Sequence, residues 1–238
     1  MNDTPNIMAE TSDFEFQALQ EAKNYRATLI KEFHDFLRGN VLEVGAGVGQ
    51  FTDALLRLPA VDKLVSIEPD PVFCERLQNS FPDLPVVKGT IANLDESRTW
   101  NAILSVNVLE HIEDHESELR GYHALLTNRK GVLCLFVPAR PEIYAPLDRD
   151  FGHFRRYTRP SLKDKLESAG FEILTLSYFN FVGYFAWWLN FCVLKKRHFD
   201  RGGIVFFDRF IFPPFHALES FIVRPPIGQS LLAIARAG

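Results

Sequence analysis

Hydrophobic positions along the chain change rhythm several times, and each change predicts an element. From Phe14 to Leu37 the apolar residues Leu19, Ala22, Tyr25, Leu29, Phe33 and Phe36 fall three and four apart, the spacing of an amphipathic helix. After it, VLEV at 41–44 is a short apolar run ending in glycines, and FTDALLRL at 51–58 is helical. LVSIE at 64–68, PVVKG at 85–89, AILSV at 102–106 and VLCLFV at 132–137 are further strand-like runs, with PVFCERLQNSF the helix after the second of them. Strands alternating with helices predict a parallel sheet covered on both faces. Thr158 is the expected cap of a helix reaching Ala169, which Gly170 stops. FEILTLSYF from Phe171 and QSLLAIARA at 229–237 read as two more strands.

Between those last two strands the pattern is unusual. From Ile173 to Leu194 there are 22 residues without Asp, Glu, Lys or Arg, and the run ends on Lys195, Lys196 and Arg197. That length could span a bilayer. Its first residues, however, belong to the strand from Phe171, so a helix starts no earlier than about Phe181. Roughly 14 residues remain, too few to cross hydrocarbon. Asn180 and Asn190 would also be costly in lipid. The stretch is therefore expected to be an aromatic insert rather than a span. Pro213-Pro214 should break the helix that follows it.

Bulk properties narrow the class. The 238 residues suffice for one large α/β domain. A net charge of -4 argues against a general nucleic-acid binder. Cys74, Cys134 and Cys192 are scattered without C-x-x-C spacing, which suits free thiols better than disulfides or zinc, and no metal site is expected. The N-terminal MNDTPNIMAETSDF has no basic region followed by an apolar one, so the expected location is cytoplasmic.

The most informative residues are VLEVGAGVGQFT at 41–52. A strand enters Gly45-Ala46-Gly47-Val48-Gly49 and passes directly into a helix, a turn whose amides can face a ligand at close range. The nicotinamide fingerprint G-x-G-x-x-G differs, because Gln50 stands where its third Gly or Ala belongs. Glu43, two residues before the first glycine, is a poor neighbour for pyrophosphate and a good one for a cationic ligand. About 25 residues on, Ile67-Glu68-Pro69-Asp70 places an acid at a strand tip, suited to accept hydrogen bonds from a ribose.

EVGAGVGQFT, SIEPDP and SVNVLEHI at 105–112 resemble the first, second and fourth motifs of class I S-adenosylmethionine-dependent methyltransferases, with AKNYR before them and FGHFRRYTRPSL after. The likeness looks nearest to the small-molecule branch of quinone-biosynthesis enzymes and of enzymes from polysaccharide and natural-product clusters. It implies a Rossmann-like sheet of seven strands ordered 3-2-1-4-5-7-6, with strand seven antiparallel, helices on both faces and the aromatic insert between strands six and seven. It also implies a cap helix at 14–38, a cofactor core at 41–137, acceptor-side segments at 138–228 and a last strand at 229–237. S-adenosyl-L-methionine is the implied cofactor. Gly45, Gly47, Gly49 and Asn107 would lie by its methionine part, Glu43 near its ammonium group and Glu68 on its ribose. Where this branch usually has an acid near the adenine, the chain reads Lys88-Gly89-Thr90-Ile91-Ala92-Asn93, so packing by Ile91 or a contact from Asn93 would substitute.

A hydroxyl acceptor would need a base, and two histidines qualify. His111 follows the fourth strand, while His153 lies in the long segment after the fifth. His153, with Tyr157 as neighbour, is the preferred base. Arg155 or Arg156 is expected to hold an anionic group of the acceptor. Tyr25 and Arg26 would close over the cofactor, and Tyr184 and Trp188 would wall an apolar acceptor site. The insert is also a candidate for a homodimer face or for peripheral membrane contact. The competing readings are a nicotinamide-dependent Rossmann oxidoreductase and a non-catalytic protein that keeps the fold. Oxygen and carbon remain alternative methylation targets.

Overall fold

The computed structural model describes residues 20–95, 98–198, 200–221 and 225–238. Its centre is a seven-stranded sheet built from β1 (Gly39–Val44), β2 (Val61–Glu68), β3 (Val86–Lys88), β4 (Ala102–Val106), β5 (Val132–Pro138), β6 (Phe171–Phe179) and β7 (Ser230–Ala237). The spatial order is β3-β2-β1-β4-β5-β7-β6. Pairing is parallel from β3 through β5 and antiparallel on both sides of β7. The expected topology is the observed one.

Alternation along the strands shows why both faces are covered. In β5, Leu133, Leu135 and Val137 join one buried cluster, whereas Cys134 and Phe136 join another on the opposite face. β4 divides the same way, with Ile103 on the first face and Ala102 and Leu104 on the second. Successive strand side chains point to opposite faces, so a strand buried on both sides needs apolar residues at nearly every position. The first face is closed by Leu119, Tyr122 and Leu126 of α4 (His115–Thr127) and by Leu162 and Leu166 of α6 (Arg159–Ser168). The second is closed by α1 (Lys23–Phe33), α2 (Thr52–Leu56) and α3 (Pro71–Ser80), with Phe179 and Phe212. Thr158 caps α6 by accepting from the Ser161 amide, and Gly170 follows that helix at φ +96°.

The N-terminal helix is observed over Lys23–Phe33; the predicted part up to Leu19 lies outside the described residues. Its N-terminus has no local side-chain cap. Asp208, 184 residues along the chain from Asn24, supplies one instead, accepting from the Asn24 and Tyr25 amides at 2.9 and 2.8 Å. An amide pair at a helix start is an anion site, and the carboxylate satisfies it.

The aromatic insert consists of α7 (Phe181–Trp187), which runs on through a π-turn over Trp188–Val193, and a second helical arm. That arm is α8 (Arg201–Phe206), a π-turn over Phe207–Ile211, and α9 (Phe212–Phe221). The helix starting at Phe181 is as predicted, and no helix of the described residues is long and apolar enough to cross a membrane. The break at Pro213-Pro214 is not observed. The widened turn just before the prolines, closed by the Phe212 amide on the Phe207 carbonyl, lets the arm continue into α9. Inserted turns of this kind relieve the clash and the missing donors that proline brings to a regular helix. α5 (Pro146–Asp150) packs under the insert in a third cluster of Ile143, Leu147, Phe151, Trp187 and Phe191.

Candidate active site

The glycine loop leaves β1 at the C-terminal edge of the sheet, where Gly45, Gly47 and Gly49 all have positive φ (68°, 57° and 90°). The three differ in what surrounds them. A Cβ at Gly45 would stand 2.3 Å from Val108, and one at Gly49 would stand 2.6 Å from Phe81, so both are fixed by packing. Gly47, between them in the loop, turns its backbone toward the tip of β2. Its amide donates to Oε2 of Glu68 at 2.7 Å, and the Asp70 amide donates to Oε1 at 2.9 Å. The acid at the tip of β2 thus ties the loop to the neighbouring strand. Burial pushes the Glu68 carboxyl up, and these two amides partly offset that.

Glu43 lies deeper than its position in the sequence suggested. It is buried, and its Oε2 accepts hydrogen bonds from Ser66 Oγ at 2.6 Å and Thr52 Oγ1 at 2.7 Å. Burial raises its pKa from 4.5 to about 7, the two hydroxyls opposing the shift. The unfolded chain gives up this proton first. Glu43 therefore stabilises the fold fully below about pH 4.5, and that contribution is lost as pH rises through about 7. The difference amounts to about 3 kcal/mol at 1.36 kcal/mol per unit. Glu43→Gln should remove this slope, matching the wild type near pH 4.5 and exceeding it above pH 7. Urea denaturation across that range checks it; parallel curves for the two proteins would show that Glu43 does not titrate there.

A cavity of about 1020 Å³ opens beside the sheet edge. Its walls include Tyr25 of α1, Asn107 after β4, Glu110, His153, Arg156 and Trp187, together with Lys195, Lys196 and Arg197. Asn107 is positioned by a left-handed backbone (φ 52°) and by its amide bond to the Phe136 carbonyl. Tyr25 is packed edge-on by Phe136 and Phe179. Arg26 donates to the Gln50 carbonyl at 2.5 Å, so α1 clamps the end of the glycine loop. Glu43, the three glycines, Glu68 and Ile91 are not among the cavity walls.

His153 and His111 come together with ring centres 4.6 Å apart, beside the fully buried Glu110. His153 is buried, and its Nδ1 pairs with Asp148 Oδ1 at 3.0 Å. Several expected acceptor residues are placed otherwise. Arg156 is buried, and its Nε donates to the same Asp148 oxygen at 2.8 Å while Nη1 donates to the Ala139 carbonyl at 3.1 Å. With its guanidinium also over the Trp187 ring, 4.4 Å from the centroid, its charge is committed inside the protein. Arg155 donates to the Ile112 and Glu113 carbonyls, bracing the loop after β4. The Tyr157 hydroxyl is engaged by His115 Nδ1 at 2.6 Å and lies outside the cavity walls, away from His153. Burial, with Arg155 adding to it, holds that His115 ring down at about 4.

Trp188 is 46% exposed on the outer side of the insert, and Trp187 occupies the cavity wall. A helix turns 100° per residue, so an error of one position moves a side chain from wall to surface. Tyr184 packs against the small cluster under α7. Asn93 does not extend toward a ligand: its Oδ1 accepts from the Thr90 amide, and Ile91 packs over Gly121 of α4. Sequence reasoning did not single out Glu110 or Asp148, which lie beside the two histidines. Only the D-x4-H-x2-R spacing of Asp148, His153 and Arg156 hinted at the buried triad.

A sheet ordered 3-2-1-4-5-7-6 with an antiparallel seventh strand, and a glycine loop beside an acid-tipped second strand, define a class I methyltransferase. The chain belongs to the family described as "Methyltransferase domain", whose model matches residues 17–176. No curated protein matches the sequence. Among solved structures, an S-adenosylmethionine-dependent methyltransferase from Archaeoglobus fulgidus superposes with TM-score 0.58 at 14% identity, covering 90% of this chain and 94% of its own. Enzymes of the same description from Mesorhizobium loti (0.56, 15%, 83% and 90%) and Clostridium acetobutylicum (0.56, 12%, 91% and 92%) share the fold.

Proposed function

We propose that this chain methylates a hydroxyl oxygen of an amphiphilic small molecule, with S-adenosyl-L-methionine as cofactor. The cofactor assignment draws on the family, on the left-handed glycine loop and on the Glu68 carboxylate that holds it. When bound, the cofactor supplies a methyl group on a positively charged sulfur. Asn107, a cavity wall just after β4, would meet the methionine part, and Glu43 would accept behind the loop. Holding acceptor and donor in line is the main demand of the reaction.

The observation that carries the acceptor class is the cavity itself, which runs from Asn107 to the insert. Asn107, Glu110 and His153 give its walls a polar part, with Asn180, Asn190 and Gln229 adding amides; Phe151, Trp187, Phe191, Ile204 and Phe207 give it an apolar part, and Lys195, Lys196 and Arg197 line it beside Asp200. An acceptor hydroxyl beside Glu110 and His153 is deprotonated there, while its apolar part lies along the insert. Outside the cavity, Phe185, Trp188, Leu189, Leu194, Phe206 and Phe210 are exposed on the two insert arms. An apolar face bordered by Lys195, Lys196 and Arg197 suits peripheral contact with an anionic membrane, from which such an acceptor would be drawn.

The test supplies radiolabelled cofactor with lipid extract in anionic vesicles and, separately, with aqueous extract. Label is expected in the lipid fraction as an alkali-stable ether. Label confined to water-soluble products, or attached to carbon or nitrogen, overturns the reading. Trp187→Ala should raise the acceptor KM at least tenfold while leaving S-adenosylhomocysteine affinity unchanged; loss of both would place Trp187 in the cofactor site instead.

A further inference from the structure

We propose that Glu110, His111 and His153 form a binding site for one divalent transition-metal ion of the zinc type. A ligand atom from each of the three residues lies within 4.8 Å of the other two. An ion with bonds of about 2.0–2.2 Å holds tetrahedral ligands about 3.4 Å apart, so small side-chain rotations complete the set. Two imidazoles and one carboxylate, with a further position open to the cavity, make a catalytic rather than a structural donor set. Imidazole donors favour zinc-like ions over magnesium or calcium, which prefer all-oxygen ligands.

The surroundings have the features of a metal site. Histidine ligands are characteristically held by a carboxylate on the ring nitrogen away from the metal. Asp148 does this for His153: its Oδ1 engages Nδ1 at 3.0 Å, which leaves Nε2 as the nitrogen the ring can offer. Asp148 is itself fixed by the Ala145 amide and by Arg156. Glu110 and His111 sit in one 3-10 turn, Leu109–His111, directly after β4. The Glu110 carbonyl accepts from the Phe154 amide at 2.9 Å, which pins that turn to the segment carrying His153. The two halves of the site are thus locked together by main chain. Glu110 is fully buried, and a carboxylate so placed is suited to a cation.

The inference rests on the oxygen-acceptor reading for its role, though not for its existence. Glu110 and His153 line the cavity, so an acceptor hydroxyl can reach the open position. Next to a divalent cation that hydroxyl loses its proton to water more readily. Its oxygen then bonds to the methyl carbon as the carbon–sulfur bond of the donor breaks, releasing the methyl ether. His153 is in this account a ligand, and no separate imidazole base is required.

The test is a cobalt(II) titration of chelator-dialysed full-length protein, followed by visible absorption, with zinc as competitor. Wild type is expected to take up one cobalt per chain with ligand-field bands that zinc abolishes. Glu110→Gln and His111→Ala should each weaken uptake at least tenfold while retaining S-adenosylhomocysteine binding, which reports folding; His111, the least buried ligand, is the safer variant. Absence of cobalt bands in wild type, or equal affinity in the variants, overturns the proposal. No acceptor is present in this titration. A failure to methylate hydroxyl acceptors would therefore leave the site standing, and a failure to bind cobalt would leave the acceptor reading with His153 as an imidazole base.

Discussion

Replacing Glu68 with alanine is expected to weaken S-adenosylhomocysteine binding by at least about 100-fold while the sheet stays folded. A carboxylate has about four acceptor positions. Two of them are used by the amides of Gly47 and Asp70, which leaves two for the paired hydroxyls of a ribose. Hydrogen bonds to a charged group contribute about 1.5–3 kcal/mol each. Losing two ligand bonds thus costs about 3–6 kcal/mol, and about 1.4 kcal/mol is a factor of ten. The alanine variant also releases the Gly47 amide, so the loop loses its tie to β2. Glu68→Gln keeps one good acceptor and should fall between the two proteins. Isothermal titration calorimetry decides the matter: a variant within threefold of wild type would remove Glu68 from the ligand site.

Asp148→Ala should destabilise the protein by about 3–5 kcal/mol, the usual cost of stranding one partner of a buried ion pair. Asp148 is fully buried and pairs with the buried Arg156. It also holds the start of α5 through the Ala145 amide at 2.8 Å. Without it the guanidinium keeps the Ala139 carbonyl and the face of Trp187 but loses the Asp148 counter-charge. For a chain of this length the melting temperature should fall by about 10 °C, at about 2–4 °C per kcal/mol. The double variant Asp148→Leu/Arg156→Met removes the stranded charge and should recover part of the loss. Urea denaturation of the three variants checks this. A single-variant cost below about 1 kcal/mol, or no recovery in the double, would show that the pair is not a desolvated ion pair.

Much of the cofactor half was legible because it is local. The β1 loop, its three glycines and the acid ending β2 each depend on a few consecutive residues, and the backbone geometry of a glycine turn is written in the turn. Strand positions were legible for a similar reason. β4 and β6 have the predicted bounds; β4, buried on both faces, is nearly a continuous apolar run, and the edge strand β6 is bounded by Gly170 before it and Asn180 after it. The aromatic stretch was separable from a membrane span by counting, as the strand before it consumes the first part of the run.

The acceptor half was not legible in that way. Arg155 or Arg156 was expected to anchor an anion; Arg156 lines the cavity, but its guanidinium is paired with Asp148 and lies over Trp187. Trp187 lines the cavity and Trp188 is exposed, a difference the sequence does not show because the insert has no polar stripe to set the phase of its helix. Pro213-Pro214 were read as a break because proline rules describe a regular α-turn, and the π-turn before them makes the rules inapplicable.

By itself, then, the sequence determined the strand positions, the glycine loop, the acid at the strand tip and the short length of the aromatic helix, which follow from near-neighbour backbone geometry and burial period; the strand order came from the resemblance to class I methyltransferases. Only the tertiary structure decided which charges are spent inside the protein and which face the cavity. It alone brought Glu110 and His111, after β4, against His153 from the segment after β5. Those contacts join residues some forty positions apart, and their distances depend on how β4, β5 and the insert pack, which no local pattern encodes.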